Sequence, residues 1–308
     1  MRVLPIKEIP KELWFSDKLS IPEKLKTAYV GQLDDLEVLD KAIDGKPENT
    51  SIHGGITNEE SINHFVYRFP ASSGRIEFVT ISPNTKLVKV SDAILSSFSS
   101  GEISVLDIPG GTGAAMCSLL TTIAVLRNNN ILPILPMTVR VLCGDFSPKA
   151  IEIYEEMLLR IKPFLNENGI ALKYESMIWD ATKNNQTAKL VDKWFMASKS
   201  HGEYIVCISN FTGALKDANI FDKFTPCLSQ ILARLDDKKS TVLWIEPSSK
   251  STSKIVTKLL KYFSSAIEWF KKTSLGDGFL SSQYTMINPL NKNEHSSSVE
   301  VQRFERSI

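Results

Sequence analysis

From residue 101 onward, short apolar runs alternate with segments of helical length, and this alternation constrains the fold more than any other feature. The strand-sized runs are Ile103–Ile108, Thr138–Cys143, Leu172–Met177, Tyr204–Ser209 and Thr241–Ile245. The segments with helical spacing are Gly113–Arg127, Pro148–Asn166, Thr187–Ser198 and Phe221–Arg234. Strands that alternate with helices form βαβ units, whose right-handed crossovers place the strands parallel in one sheet. The pattern therefore predicts an α/β fold with a Rossmann-like, doubly wound sheet.

Two more strand-like runs, Gln283–Ile287 and Ser298–Phe304, follow a helical candidate over Ser251–Phe270. The polar stretch Asn288–Ser296 joins these two runs without a helix between them, so we expect an antiparallel hairpin at the sheet edge. Five parallel strands and this hairpin together predict a mostly parallel, seven-stranded sheet with a C-terminal antiparallel hairpin.

The first hundred residues lack this alternation. Apolar residues at helical spacing predict one helix over Pro22–Asp44 and the start of another at Asn58, running towards Tyr67. The stretch Arg75–Ile81 fits a strand or a helix equally well. We therefore expect an N-terminal, mainly helical cap over residues 1–100 and a ligand-binding domain over residues 101–308.

Charge is nearly balanced, with 36 Lys and Arg against 35 Asp and Glu and a formal net charge of +1. Nucleic-acid binders usually carry a marked basic excess, although a local patch can still bind RNA. The four cysteines form no C-x-x-C pair, which predicts neither a disulfide scaffold nor a metal site. Because the N-terminus has no signal-peptide pattern and no run approaches about 20 apolar residues, we expect a cytoplasmic protein with no membrane partner.

A glycine turn follows the first strand of the alternating region directly. The turn residues that a ligand could approach are Asp107, Pro109, Gly110, Gly111 and Gly113. Glycines let the backbone approach a ligand closely, and the helix that follows presents free N–H groups. A G-x-G-x-x-G fingerprint would need a third glycine where Met116 stands, which argues against a dinucleotide. Taken alone, the turn could also be a tight connection without a ligand.

Acidic residues follow the next two strands as well. Asp145 comes after the second strand with Phe146 beside it, and Asp180 comes after the third strand with Ala181 beside it. Open α/β sheets bind ligands at the carboxyl ends of their strands, where a carboxylate can accept both hydroxyls of a ribose. Asp180 could accept from an adenine amino group, while Ala181 or its neighbour Trp179 packs on the ring. A single aspartate could be a helix cap, but three in register favour an adenosyl ligand.

The motif L-D-I-P-G-G-T-G, followed by acids after the next two strands, resembles the class I methyltransferase family over residues 103–308. The resemblance implies S-adenosyl-L-methionine as cofactor and an enzyme that transfers its methyl group. It implies that Asp107, Gly111 and Gly113 line the methionine and ribose portion. Asp145 would then bind the ribose and Asp180 the adenine.

The sequence departs from the family pattern at two places. Pro109 stands where the family usually has its first glycine. The stretch Asn128–Pro136 lengthens the connection between the first helix and the second strand, and nothing in the sequence explains it.

The resemblance also implies where a methyl acceptor would bind. Asn210, at the tip of the fourth strand, would face the transferring methyl group, and Phe211 could stack on a planar acceptor. Glu246, after the fifth strand, either faces the substrate or caps a turn. Tyr67 and Arg68 could contact the substrate and, with the neighbouring His64, help to close a lid over the cofactor. No catalytic residue is assigned, because methyl transfer depends mainly on positioning and needs a base only if the acceptor must lose a proton.

Three functions remain open at this point. The balanced charge, and the missing proline pair after Asn210 that amino-methylating DNA enzymes carry, favour a small-molecule or other non-nucleic-acid acceptor over DNA. RNA is disfavoured but possible, since four lysines share one helical face: Lys250, Lys254, Lys258 and Lys261. The segments Tyr67–Ala71 and Glu246-Pro247 are also similar to ribosomal small-subunit-associated methyltransferase-like proteins. The third function is a catalytically silent binding or assembly factor. The oligomeric state stays open.

Overall fold

The structure, a computed structural model, describes residues 2–45, 55–99, 101–198, 202–217, 220–235, 238–248, 254, 257–258, 274–275 and 280–306. The helices are α1 (Glu23–Asp35), α2 (Leu39–Asp44), α3 (Asn58–Ile81), α4 (Val88–Ser97), α5 (Ala114–Asn128), α6 (Pro148–Glu167), α7 (Asn184–Ala197), α8 (Thr212–Asp217) and α9 (Phe221–Ala233). The strands are β1 (Trp14–Phe15), β2 (Lys18–Leu19), β3 (Gly101–Asp107), β4 (Met137–Asp145), β5 (Ile170–Ile178), β6 (Glu203–Ser209), β7 (Ser240–Glu246), β8 (Ser274–Leu275), β9 (Leu280–Ile287) and β10 (Glu294–Arg306).

The strands form one sheet in the order β1-β2-β9-β10-β7-β6-β3-β4-β5, with β8 paired to β10. Strands β3 to β7 are parallel, as predicted. The chain winds from β3 through β4 to β5 on one side, and then returns to place β6 and β7 on the other side of β3. The strand order therefore reverses between β3 and β6, and open sheets of this kind bind ligands in the crevice at such a reversal.

The predicted count of seven strands is wrong, because the described sheet has ten. All seven predicted strands are present, and β9 and β10 form the predicted antiparallel hairpin. The hairpin is not the edge of the sheet, however, since β10 lies between β7 and β9, and β2 pairs in parallel with β9. The three unpredicted strands are only two residues long, so they leave no periodic pattern in the sequence.

The predicted N-terminal helices need one correction. The helix predicted over Pro22–Asp44 is broken into α1 and α2, because Glu37 adopts a positive φ of 57° between them. The second helix begins at Asn58 as predicted, where Thr57 and Glu60 form a capping box. This helix, α3, continues to Ile81, so the stretch that fitted a strand or a helix is helical.

Apolar helices cover both faces of the sheet. On one face α3 and α6 pack against α5, and α1 packs against α6, around a cluster that includes Tyr29, Phe65 and Ile123. On the other face α7 packs against α9 around Trp194 and Phe224. The first hundred residues are thus mainly helical, but they also contribute β1 and β2 to the sheet.

Arg127 holds the long connection Asn128–Pro136 against the rest of the fold. Its side chain is fully buried, and Nη1 donates to the carbonyl oxygen of Leu135 at 2.8 Å and to that of Asn168 at 3.0 Å. Nη2 donates to the carbonyl oxygen of Ser99 at 2.8 Å. The guanidinium therefore joins this connection to the segments that precede β3 and β5, at the edge of the sheet where these strands begin.

The helix predicted over Ser251–Phe270 lies largely outside the described residues. Of the four lysines predicted to share its face, Lys254 and Lys258 are described, and both are exposed. None of the helices in the described ranges combines the length and the apolar composition that crossing a membrane requires.

Candidate functional site

The glycine turn lies at the carboxyl end of β3, where the strand order reverses. A Cβ atom on Gly110 would overlap the Sγ atom of Cys143 and lie 3.1 Å from the ring of Tyr154. Gly111 has a φ of +54°, and a Cβ atom there would meet no atom within 4 Å. Gly113, with a φ of +89°, caps the N-terminus of α5. The turn is thus packed tightly on the side of Gly110 and open on the side of Gly111.

The two neighbouring glycines should respond differently to substitution. Gly110→Ala is expected to lower the free energy of unfolding by about 1–3 kcal/mol, because its Cβ atom overpacks against Cys143. Gly111→Ala should cost only about 1 kcal/mol, the strain of a left-handed backbone. Chemical denaturation measures both losses. Adding Cys143→Ala should recover part of the loss in Gly110→Ala and none in Gly111→Ala; recovery in neither variant would contradict the packing described for Gly110.

Asp145 ties the turn to the end of β4. Its Oδ2 atom accepts from the backbone N–H of Gly111 at 2.8 Å, and its Oδ1 atom accepts from that of Ser147 at 2.9 Å. Burial raises the pKa of this carboxyl, while the backbone hydrogen bonds lower it. The backbone N–H of Phe146 is a third donor to this carboxyl. A carboxylate has about four acceptor positions, so these donors leave about one for a ligand beside Gly111.

Asp107 lies beneath the turn. Its side chain is fully buried, and the Tyr154 hydroxyl donates to its Oδ2 atom at 3.0 Å. Burial, and then the neighbouring charge of Asp145, raise the pKa of this carboxyl to about 8, against hydrogen bonds from Tyr154 and Cys207 that lower it. The group is therefore largely protonated at neutral pH. Its predicted contact with the methionine portion of a cofactor stays a prediction.

The residues that follow β4 and β5 lie at the same edge of the sheet as the turn. Phe146 is 52% exposed, which is unusual for a large apolar side chain. Asp180 is partly buried, and its Oδ1 atom accepts from the backbone N–H and the hydroxyl of Thr182 at 2.8 and 2.7 Å. Ala181 is buried in the apolar cluster beside α7. The backbone N–H of Trp179 donates to the carbonyl oxygen of Asp145 at 2.7 Å, which holds these two strand ends together.

Asn210 lies at the tip of β6, across the reversal from the glycine turn. Its φ of 54° falls in the left-handed region, which asparagine tolerates better than most residues. Its backbone N–H donates to the carbonyl oxygen of Ile245 at 3.0 Å. Its side-chain Oδ1 atom accepts from the Nε atom of Arg75 at 2.9 Å. Asn210 is therefore held in place by a residue of α3.

Glu246 and Phe211, both predicted to bind the substrate, have clear roles in the fold. The buried Glu246 carboxylate accepts from the backbone N–H of Phe211 at 2.8 Å and from that of Thr212 at 3.1 Å. It also accepts from the Thr212 hydroxyl at 3.0 Å and from the Trp244 indole N–H at 2.8 Å. Phe211 is buried edge-on against Phe224, with ring centroids 4.9 Å apart. Glu246 thus caps the start of α8, and a substrate contact by either residue stays a prediction.

A polar face of α3 spans the reversal. The face consists of five residues at spacings of three or four, and we call it the α3 polar face: Ser61, His64, Arg68, Ser72 and Arg75. The Oγ atoms of Ser61 and Ser147 lie 2.7 Å apart, which places the start of this face at the end of β4. The bond from Arg75 to Asn210 places its other end at the tip of β6.

The sequence analysis predicted some of the residues of the α3 polar face. Arg68, predicted as a substrate residue, lies on it and is exposed, whereas Tyr67 is half-buried against the apolar core. Arg75 was missed, because its segment fitted a strand as well as a helix. Burial, followed by the charges of Arg68 and Arg75, lowers the pKa of His64 to about 4, so His64 is neutral at physiological pH.

Among the described residues, no group of three or more His, Cys, Asp or Glu side chains is placed to hold a metal ion. The four cysteines are all free and buried.

No protein-family model and no curated protein matches the sequence. One similar solved structure concerns the conversion of a disulfide bond into a thioacetal group during echinomycin biosynthesis; it has 13% identity and a TM-score of 0.34, and covers 70% of this chain and 80% of that chain. Another is a candidate class I S-adenosylmethionine-dependent methyltransferase from Listeria monocytogenes, with 11% identity and a TM-score of 0.38, covering 93% of this chain and 89% of that chain. With TM-scores this low, neither structure supports a conclusion about the function of this chain.

Proposed function

We propose that the chain binds S-adenosyl-L-methionine at the carboxyl edge of the sheet and is a methyltransferase. The observation that carries the proposal is the open glycine turn at the reversal of strand order, where Gly111 faces free space and its N–H is bonded to Asp145. An adenosyl group needs a close backbone approach, an acceptor for the ribose hydroxyls and an apolar surface for the adenine. The open backbone at Gly111, the Asp145 carboxylate and the exposed ring of Phe146 support the proposal on these three counts.

We assign the cofactor contacts residue by residue. The Asp145 carboxylate would accept from a ribose hydroxyl with the acceptor position that the backbone N–H groups of Gly111, Phe146 and Ser147 leave free. The exposed ring of Phe146 would cover one face of the adenine. Asp180 would accept from the adenine amino group through the oxygen that Thr182 does not use. The remaining proposed contacts are backbone or packing contacts of Asp107, Pro109, Gly110, Gly113, Ala181 and Asn210.

The bound sulfonium supplies a methyl group on an excellent leaving group, so the protein contributes mainly positioning. The α3 polar face and Asn210 would shape the space for the acceptor on the β6 side of the reversal. A general base is needed only for an acceptor that must lose a proton, and we assign none. We propose a small-molecule or other non-nucleic-acid acceptor, which the balanced charge supports.

Calorimetric titration with S-adenosyl-L-methionine tests the proposal. Wild-type protein is expected to bind, and absence of binding at high micromolar cofactor would favour a silent binding or assembly factor over both enzyme functions. Asp145→Ala is expected to weaken binding about tenfold or more, because hydrogen bonds to a charged group contribute about 1.5–3 kcal/mol. Its thermal unfolding must be measured in parallel, since Asp145 also holds the glycine turn.

Phe146→Ala gives a cleaner variant, because an exposed ring contributes little to the stability of the fold. It is expected to weaken cofactor binding several-fold, by roughly 1 kcal/mol of lost ring contact. Phe15→Ala is the matched control: Phe15 is 59% exposed and lies on β1, at the opposite edge of the sheet from β4 and β5. Equal affinities of the two variants would place the adenine somewhere other than beside Phe146.

A further inference from the structure

Arg75 is a cation that the described structure leaves without a partner of opposite charge. Its Nε atom donates to Asn210 at 2.9 Å, and its Nη2 atom donates to the Ser72 hydroxyl at 3.2 Å, so both of its partners are neutral. The side chain is partly buried between α3 and the sheet, and burial lowers its pKa. A partly buried guanidinium with neutral partners has unused donors and an uncompensated charge.

The surrounding groups do not neutralise this charge. Among the described residues, Tyr284 and the Glu246 carboxylate favour protonated Arg75, but the printed contacts of its guanidinium go to Asn210 and Ser72 and to neither of these groups. Burial raises the pKa of Tyr284 to about 12, so its hydroxyl stays neutral, and burial raises the pKa of the Glu246 carboxyl as well. Burial lowers the pKa of His64 on α3 and of His295 on β10, and the charge of Arg75 lowers both pKa values further. Arg68 adds a second, exposed guanidinium to the same face of α3.

The position of Arg75 relates this charge to the proposed site. The glycine turn, Asp145 and Phe146 occupy the strand ends on the β3 and β4 side of the reversal. Arg75 and Asn210 occupy the tip of β6 on its other side. A cofactor bound against the ends of β3 and β4 would therefore leave Arg75, at the tip of β6, on the side of the second reactant.

We propose that the acceptor is a small oxyanion, a molecule carrying a carboxylate or a phosphate, and that Arg75 binds this group with help from Arg68. The inference rests on the proposed function for the identity of the reaction, but not for the binding of the anion itself. Arginine suits this role because its planar fork of donors matches both oxyanions. Arg75 would determine specificity for the acceptor, and its hydrogen bond to Asn210 would fix the orientation of the guanidinium.

The probes are inorganic phosphate and acetate, added at constant ionic strength with chloride as the reference salt. The stabilisation of wild-type protein in thermal unfolding gives an apparent Kd for each probe, since a ligand that binds only the folded state stabilises it. Arg75→Gln is expected to weaken the apparent Kd about tenfold, and Arg68→Gln should weaken it less. If phosphate binds more tightly than acetate, the acceptor carries a phosphate. If acetate binds more tightly than phosphate, the acceptor carries a carboxylate.

Arg234→Gln is the matched control, because Arg234 is exposed and pairs with Asp192 on the surface beside α7. Arg68→Gln keeps the test valid if Arg75→Gln does not fold, since Arg68 is exposed. Calorimetry separates the two proposals: binding of S-adenosyl-L-methionine without binding of either anion overturns the acceptor assignment alone. Anion binding that both arginine variants retain at full strength overturns it as well. Anion binding that depends on Arg75, without cofactor binding, overturns the methyltransferase and leaves an anion site.

Discussion

Arg127→Met is expected to lower the free energy of unfolding by about 3–5 kcal/mol. Methionine has a similar length and apolar stem, so little packing is lost. It cannot donate, however, and the carbonyl oxygens of Leu135, Asn168 and Ser99 would lose their buried donor together. Each unsatisfied buried group costs about 1–3 kcal/mol. Urea denaturation followed by circular dichroism measures the total.

Two further variants test whether the stability loss of Arg127→Met comes from its lost hydrogen bonds. Arg127→Lys keeps the charge but loses the planar guanidinium with its several N–H donors. A single ammonium group cannot reach carbonyl groups on three segments, so most of the loss in stability should remain. Arg234→Met, at a surface position, should change stability by less than about 0.5 kcal/mol. Because Arg127 lies at the edge opposite the glycine turn, its variants should keep their cofactor affinity below the unfolding transition. A loss under about 1 kcal/mol for Arg127→Met would show that water replaces the guanidinium.

The sequence predicted those elements whose pattern is local. Strands β3, β4, β6 and β7 are largely buried apolar runs, and β5 alternates buried and exposed residues at its start. Helix α5 is apolar on nearly all sides, and α6, α7 and α9 have an apolar stripe, so local patterns identify these elements. The strands β2 and β8 depend on partners far away in the chain, as in the pairing of Lys18 with Thr285, while β1 pairs with the neighbouring β2. Two residues cannot show a period, and therefore no inspection of the sequence could have found them.

The residues of the candidate site also fall into those that local sequence patterns predict and those that only the folded structure shows. Asp145 and the glycine turn follow buried strands directly, so their position at the sheet edge could be predicted. The sequence also placed Glu246 at this edge, but it could not show the backbone N–H groups of Phe211 and Thr212 that occupy its carboxylate. Arg75 could be found only after α3 was known to be one helix, because helical spacing aligns it with Ser61.

Asp107→Asn is expected to change the pH dependence of stability more than any other single substitution at the site. The folded-state pKa of Asp107 is raised from 3.8 to about 8, mainly by burial. Below pH 4 the carboxyl is protonated in both the folded and the unfolded chain, and its contribution to stability is fully present. Between pH 4 and pH 8 only the unfolded chain ionises, so wild-type stability is lost as pH rises, by at most about 5 kcal/mol.

Asparagine resembles the protonated acid and does not ionise, so the variant should lack this loss. The difference in unfolding free energy, variant minus wild type, should therefore rise by several kcal/mol from pH 4 to pH 8. Taking the difference cancels the buried carboxyls Glu77 and Glu246, which titrate in both proteins. The charge of Asp145 acts on Asp107, so the difference reports the titration of this pair.

Tyr154 provides the internal control for this measurement. Its hydroxyl donates to Asp107 and lowers the pKa of that carboxyl, so Tyr154→Phe should extend the loss of stability to higher pH. The extension should occur when Asp107 is present and vanish in the Asp107→Asn background, because no titrating group then accepts the bond. A difference between Asp107→Asn and wild type that stays constant from pH 4 to pH 8 would mean that Asp107 is ionised beneath the turn. Such a buried anion would itself be available to a cationic ligand bound above it.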